Sequence, residues 1–208
     1  MSRAVSRTEA TRVRLLVTAE RLFAEHGVAA VSSRQISEAA GQGNNAAVGY
    51  HFGTKDGLVR ALVRGHAEPM ERSRRVLLDR FAGSADLRDR VTCLVQPFTD
   101  HLAELGNPSW YARFAAQVMT EPALRQLAAA ELADAPMLRA VTDRLHDCVP
   151  HLTPQAQSER DEMAHTLIVQ FCAQRERTAE PDWSATAVSL IDAIEGLYRA
   201  PHSGCFGQ

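Results

Sequence analysis

Apolar residues recur at spacings of one, three and four in one segment after another, which is the period of an amphipathic helix. Over residues 8–26, Leu15, Leu16, Ala19, Leu22 and Phe23 make one stripe, Arg12, Arg14 and Arg21 lie off it, and Gly27 stops the helix. Ser32 and Gln35 have the S-x-x-Q spacing of a capping box, so a second helix starts there with Ile36, Ala39 and Ala40 as a small apolar face. Gly41 takes positive φ cheaply and suits the position just past that helix. Asn44 or Asn45 can cap a third helix carrying Ala46, Ala47, Val48, Tyr50, His51 and Phe52, which Gly53 ends. Thr54 can cap a fourth, whose first turn holds Lys55 and Asp56 and which sends Leu58, Ala61 and Leu62 into the same core. Residues 1–8 read as a loose arm in which Arg3 and Arg7 are free to reach an anionic partner.

Beyond Leu58 the pattern stays helical. Pro69 interrupts the fourth helix, because proline removes a hydrogen bond and crowds the preceding turn. It reads as a hinge or as a simple kink. A border near 65–70 divides a head, 1–66, from a body, 67–208. In the body, the G-S-A-D at 83–86 precedes a helix over 87–105 with Val91, Leu94, Val95, Phe98 and Leu102 inside and Pro97 within it. Residues 106–109 form a turn, followed by an aromatic cluster of Trp110, Tyr111 and Phe114, with Met119 beyond. Two last helices, near 155–177 and 183–199, carry broad stripes: Met163, Leu167, Ile168 and Phe171 on one, Ala187, Leu190, Ile191, Ile194, Leu197 and Tyr198 on the other. The expected class is all-α.

Two short helices joined through a glycine turn make the unit that lays its second helix in the DNA major groove. The segment after it, Y-H-F-G-T-K-D-G-L from Tyr50 to Leu58, resembles the Y-H-F-x-x-K-x-x-L signature of the tetracycline-repressor (TetR-like) family of bacterial transcription regulators. The resemblance extends upstream through LLVTAERLFAEHGVAAVSSRQISEAAG and covers about residues 9–64. It implies an N-terminal three-helix DNA-binding domain and a C-terminal helical domain for ligand binding and dimerisation. It also implies DNA contacts at Ser33, Arg34, Asn45, Ala46, His51 and Lys55. Two departures stand out. Gly49 occupies a position where the family usually has an aromatic, and the Q-G-N-N turn is one residue longer than the commonest form, so Asn44 and Asn45 compete for one role. A helical glycine costs up to about 1 kcal/mol relative to alanine, which raises the expectation of a close backbone approach at Gly49.

The residues support the same reading on chemical grounds. Arg34 can fork onto a phosphate or a guanine edge, Asn suits the adenine N6/N7 edge, and an alanine methyl can touch a thymine methyl. Tyr50 and His51 suit phosphate contacts that fix position rather than sequence. Lys55 opposes the dipole of its own helix, which a nearby phosphate would explain. Each has a structural alternative: Asn44 and Asn45 as caps, Tyr50 and Phe52 as core, His51 as a packing histidine, Lys55 as a solvated cation. Charge is divided unevenly. Residues 1–66 hold nine Lys/Arg and five Asp/Glu, a net +4, and the remainder is net −6, giving −2 for the chain. A basic head on an acidic body suits double-stranded DNA at the head alone.

Two apolar helices per chain can build a four-helix interface about a two-fold axis. The resemblance implies such a homodimer, and Met163, Leu167, Phe171, Leu190, Ile191, Ile194 and Tyr198 are the candidate interface. Paired heads one helical turn apart would fit a palindromic operator. The resemblance further implies a small-molecule pocket, with Phe98, His101, Trp110, Tyr111, Phe114 and Met119 as candidate lining and an apolar or aromatic effector; the same aromatics also suit plain core. No cofactor, catalytic group or metal is expected. The H-D-C-x-x-H at 146–151 holds ligand types but reads as a helix end running into Pro150, and no nucleotide-binding or hydrolase fingerprint occurs. No export signal or run of about 20 apolar residues is seen, so no membrane partner is expected. Four widely spaced cysteines suit a reducing cytoplasm. The expectation is a ligand-released repressor. The competing reading is a helical small-molecule-binding protein or enzyme without DNA binding.

Overall fold

The structure, a computed structural model, describes residues 2–43, 46–133 and 135–201, with side chains from residue 8 onward. Among these residues there are ten α-helices and no strand: α1 (Ser2–His26), α2 (Ser33–Ala39), α3 (Ala47–Phe52), α4 (Lys55–Arg80), α5 (Leu87–Leu105), α6 (Tyr111–Thr120), α7 (Pro122–Leu132), α8 (Pro136–Asp147), α9 (Pro154–Arg175) and α10 (Trp183–Arg199). The stretch expected as a loose arm is instead the start of α1, which is helical from Ser2. Pro69 lies inside a continuous α4, and Pro97 inside a continuous α5.

The helices group into two compact units. The first comprises residues 1–67 with 108–134, so that α6 and α7 belong with α1–α3 and the first half of α4. Its core contains Leu15, Ala19, Phe23, Val31, Ile36, Val48, Leu58, Val59, Leu62, Phe114 and Val118. Phe114 stacks on Phe23 with ring centroids 6.1 Å apart. Polar groups fasten the same elements. His66 of α4 pairs with Glu20 of α1 at 2.7 Å and stacks on Tyr111 of α6 at 3.8 Å between centroids. Arg60 and Arg64 of α4 clasp Glu131 of α7 at 3.0 and 2.7 Å.

The second unit comprises residues 68–107 with 135–208. In it α5 packs between α8 and α10, and α9 lies on α10. Glu71 of α4 caps α8 by accepting from the amides of Met137 and Leu138 at 2.8 and 3.1 Å, satisfying donors that a helix start leaves open. Arg160 of α9 does the converse for α10. Its buried guanidinium donates to the carbonyls of Leu197 and Tyr198 at 2.7 and 2.8 Å. Beside it Asp161 accepts from the Tyr198 hydroxyl at 2.5 Å and pairs with His146 Nε2 at 2.9 Å.

Two candidate groups of residues can be placed by burial here. Of the candidate pocket residues, Phe98 and His101 are buried in the second unit, whereas Tyr111 and Phe114 are buried, and Trp110 and Met119 half-buried, in the first. Tyr111 and Phe114 take part in the stacking just described. Of the candidate interface residues, Leu190, Ile191, Ile194 and Tyr198 are turned into their own unit's core and have little surface left for a second chain. Met163 and Leu167 remain outside, 54% and 36% exposed, with Phe171 half-buried next to them.

Candidate nucleic-acid interface

Local sequence sets the register of α2. The Ser32 hydroxyl accepts from the Gln35 amide at 3.2 Å, and the Gln35 side-chain oxygen accepts from the Ser32 amide at 2.8 Å, the reciprocal pair of a capping box. That register buries Ile36 and Ser37, and the Ser37 hydroxyl is satisfied by donating to the Ser33 carbonyl at 3.0 Å. Ser33 is left half-buried and Arg34 exposed. The Arg34 guanidinium, 72% exposed, donates through Nε to Glu38 at 2.7 Å, and that carboxylate raises its pKa above the ordinary arginine value. An exposed ion pair of this kind is weak, so Arg34 keeps a full charge that a phosphate can compete for.

Gly41 and Gly53 bracket the next element with φ of +67° and +73°, a conformation that a side chain would strain. Between them α3 buries Ala47 and Val48 and leaves Tyr50 79% exposed, edge-on to the His51 ring at 5.0 Å. His51 and Phe52 are half-buried, with the Arg12 guanidinium 5.2 Å above the Phe52 ring. The residue capping α3 is Ala46, exposed and without a side-chain cap bond. Asn44 and Asn45, expected as caps or adenine readers, lie outside the described residues. Gly49 is exposed, and a Cβ built on it meets nothing within 4 Å, so the expected close backbone approach is not found.

Thr54 starts α4 by accepting from the Gly57 amide at 3.0 Å. Lys55, half-buried, sends its ammonium back to the Val31 carbonyl at 2.9 Å. Ser33, Arg34, Ala46, Tyr50, His51 and Lys55 thus lie on two short helices and the first turn of α4, partly or fully accessible over a shared apolar core. Such a set can offer a guanidinium, a phenol, an imidazole and an ammonium to phosphate, and small side chains to base edges.

The family model "Bacterial regulatory proteins, tetR family" matches residues 15–62, the span from the middle of α1 into α4. Residues 15–62 are a TetR-type regulatory domain. A comparison with curated proteins finds no match. Among solved structures the chain is similar to the TetR-family transcriptional regulator PfmR from Thermus thermophilus, at 18% identity and a TM-score of 0.54, covering 87% of this chain and 96% of that one. It is also similar to a TetR-family regulator from Mesorhizobium loti, at 14% identity and a TM-score of 0.54, covering 92% and 96%. At such identities the likeness speaks for the fold alone. Together with the match over residues 15–62, it supports an N-terminal helix-turn-helix domain followed by a helical C-terminal domain.

Outside the TetR-type domain, His146 of the 146–151 motif is engaged with Asp161, and the Cys148 thiol lies 3.3 Å from the Arg144 carbonyl. Among the described residues no three His, Cys, Asp or Glu side chains are placed to hold a metal ion, and no helix is long and apolar enough to cross a membrane. Sequence reasoning missed the Val31 carbonyl as partner of Lys55. A backbone acceptor carries no residue-type signal, and the pair is 24 positions apart.

Proposed function

We propose that this chain is a cytoplasmic, homodimeric TetR-type repressor that binds a palindromic operator and is released by a small apolar or aromatic ligand. The observation that carries the reading is the exposure of Arg34, Ala46 and Tyr50 above the buried Ile36, Ala47 and Val48. Burial fixes the backbone of α2 and α3, and the outward residues are those able to touch phosphate and base edges. In this reading Ser33, Arg34, Tyr50, His51 and Lys55 hold the phosphate backbone, while Asn44, Asn45 and Ala46 face bases. The protein regulates and does not catalyse.

Dimerisation is supported by α9, whose apolar residues occupy two faces. Ala164, Ile168 and Cys172 face inward, while Met163, Leu167 and Phe171 line a surface depression with Glu159, Glu162, Thr166, Gln170 and Gln174. One chain can cover only the first face. A head of +4 gives few phosphate contacts, and pairing two heads doubles them. Ligand release requires an effector that favours a state whose heads no longer fit the operator.

The test is a mobility shift with the DNA upstream of the chain's own gene, titrated at several salt concentrations. A specific complex in the nanomolar range whose affinity falls steeply with salt is expected. Absence of a retarded band at low salt would favour a helical small-molecule-binding protein that has lost DNA binding.

A further inference from the structure

We propose that Lys55 is a positioning residue of the DNA-binding unit, holding the start of α2 against the start of α4 and so fixing α3 between them. The Val31–Ser32 peptide group, immediately before α2, is held from both sides. Its carbonyl accepts from the Lys55 ammonium at 2.9 Å, and its N–H donates to the Gln35 side chain at 2.8 Å. Hydrogen bonds on the two ends of one amide polarise each other, and together they set the plane in which the chain turns into α2. Val31 is itself buried, 3% exposed, so its carbonyl is poorly placed to be satisfied by bulk water. An ammonium in the first turn of a helix is disfavoured by the helix dipole, and a carbonyl from another segment compensates for it.

The consequence falls on α3. It is joined to α2 through the Gly41 turn and to α4 through Gly53 and Thr54. With the starts of α2 and α4 tied together, the short helix between them has little freedom to shift or tilt. An ammonium has three N–H groups, so Lys55 can serve the Val31 carbonyl and a phosphate together. The structural role does not depend on DNA. Only its functional consequence rests on the operator-binding reading.

The test compares Lys55→Met with Lys55→Arg in the full-length protein without DNA. Lys55→Met removes the donor, and Lys55→Arg keeps a charged one. For Lys55→Met we expect a melting temperature lowered by about 3–8 °C and faster amide hydrogen exchange at Gln35 and Ile36, with Lys55→Arg recovering most of both. A Lys55→Met protein that melts and exchanges like the parent would overturn the proposal, whatever its DNA affinity. In the mobility shift, a contact to phosphate alone would lower the salt slope by about 0.9 per head and leave the free protein unchanged. That outcome refutes positioning and keeps operator binding. Loss of stability with no DNA complex from the parent protein supports positioning and refutes operator binding.

Discussion

Gly57→Ala and Gly49→Ala are the same chemical change a few residues apart, and the structure gives them opposite signs. A Cβ built on Gly57 lies 2.1 Å from the Phe52 carbonyl oxygen and 3.3 Å from its carbon. Real Cβ contacts do not fall below 3.0 Å, so the backbone at one of the two sites must retreat by about 0.9 Å, and neither is a flexible side-chain end. Phe52 is the last residue of α3 and Gly57 the third of α4, so the displacement opens the joint between the two helices. Forcing a methyl into such a space costs about 1–3 kcal/mol. Helix propensity returns at most about 1 kcal/mol of this, and less in a first turn. Taking the middle of that cost, a net loss of about 1–2 kcal/mol should lower the melting temperature by about 2–8 °C, at about 2–4 °C per kcal/mol for a chain of this size. At Gly49 φ is not positive and a Cβ meets nothing within 4 Å. Alanine there should gain about 0.5–1 kcal/mol and raise the melting temperature by about 1–4 °C. Thermal unfolding followed by circular dichroism on the parent and both variants decides the matter. A Gly57→Ala protein as stable as the parent, or a Gly49→Ala protein clearly less stable, would refute the reasoning.

Other consequences can be checked separately. Arg160→Met strips charged donors from the last carbonyls of α10 and should destabilise by about 3 kcal/mol, seen as a lowered denaturant midpoint; an unchanged midpoint would show that those carbonyls are satisfied otherwise. Glu131→Gln loosens the clasp with Arg60 and Arg64, and because both ion pairs are solvent-accessible the loss should stay below about 1 kcal/mol. The two guanidinium groups, Arg64 first, hold the Glu131 carboxyl below its usual value of 4.5. Its contribution is therefore present above pH 4.5 and lost as pH falls through the lowered folded value. Melting curves of parent and variant should converge in strong acid, and a difference that grows on acidification would contradict this account. Leu167→Glu should leave the melting of the individual chain little changed but convert the proposed dimer to monomer by light scattering, with loss of operator binding.

What could be read from the residues was what neighbours in sequence determine. The Ser32–Gln35 box, the positive φ of Gly41, the stop at Gly53, the Asp86 cap of α5 and the limits of α5 and α10 are all decided within one or two turns of chain. The exposure of Arg34 follows from the α2 register that the same box sets. What escaped depends on distant partners. Nothing local says that residues 108–134 join the N-terminal unit, since that rests on Phe23, His66, Arg60 and Arg64 meeting them from far along the chain. Periodicity finds a stripe but not what the stripe faces. On α10 the large apolar residues turn inward except Val188 and the half-buried Leu197, and on α9 they divide between two faces, which a single count of apolar positions cannot separate.

For the proposed dimer, that division on α9 suggests one way in which two copies would meet. Met163 and Phe171 stand symmetrically about Leu167, and so do Glu159 and Arg175. If two α9 helices pack antiparallel about a two-fold axis through Leu167, Leu167 meets its own copy and Met163 lies opposite Phe171. Glu159 then lies opposite Arg175, whose guanidinium already sits 4.7 Å over Phe171. A surface complementary to itself under one rotation is what an isologous interface requires. Shifting the pair by a turn would set either Phe171 against Glu159 or Met163 against Arg175, and would separate Glu159 from Arg175. Leu167→Cys should therefore give a disulfide-linked dimer on mild oxidation, because residues on the axis bring their Cα atoms within the roughly 7 Å a disulfide spans. Met163→Cys and Phe171→Cys should cross-link poorly alone and efficiently when the two proteins are mixed. A Leu167→Cys protein that is dimeric in solution yet resists cross-linking, while Met163→Cys links to itself, would place the axis elsewhere on the helix.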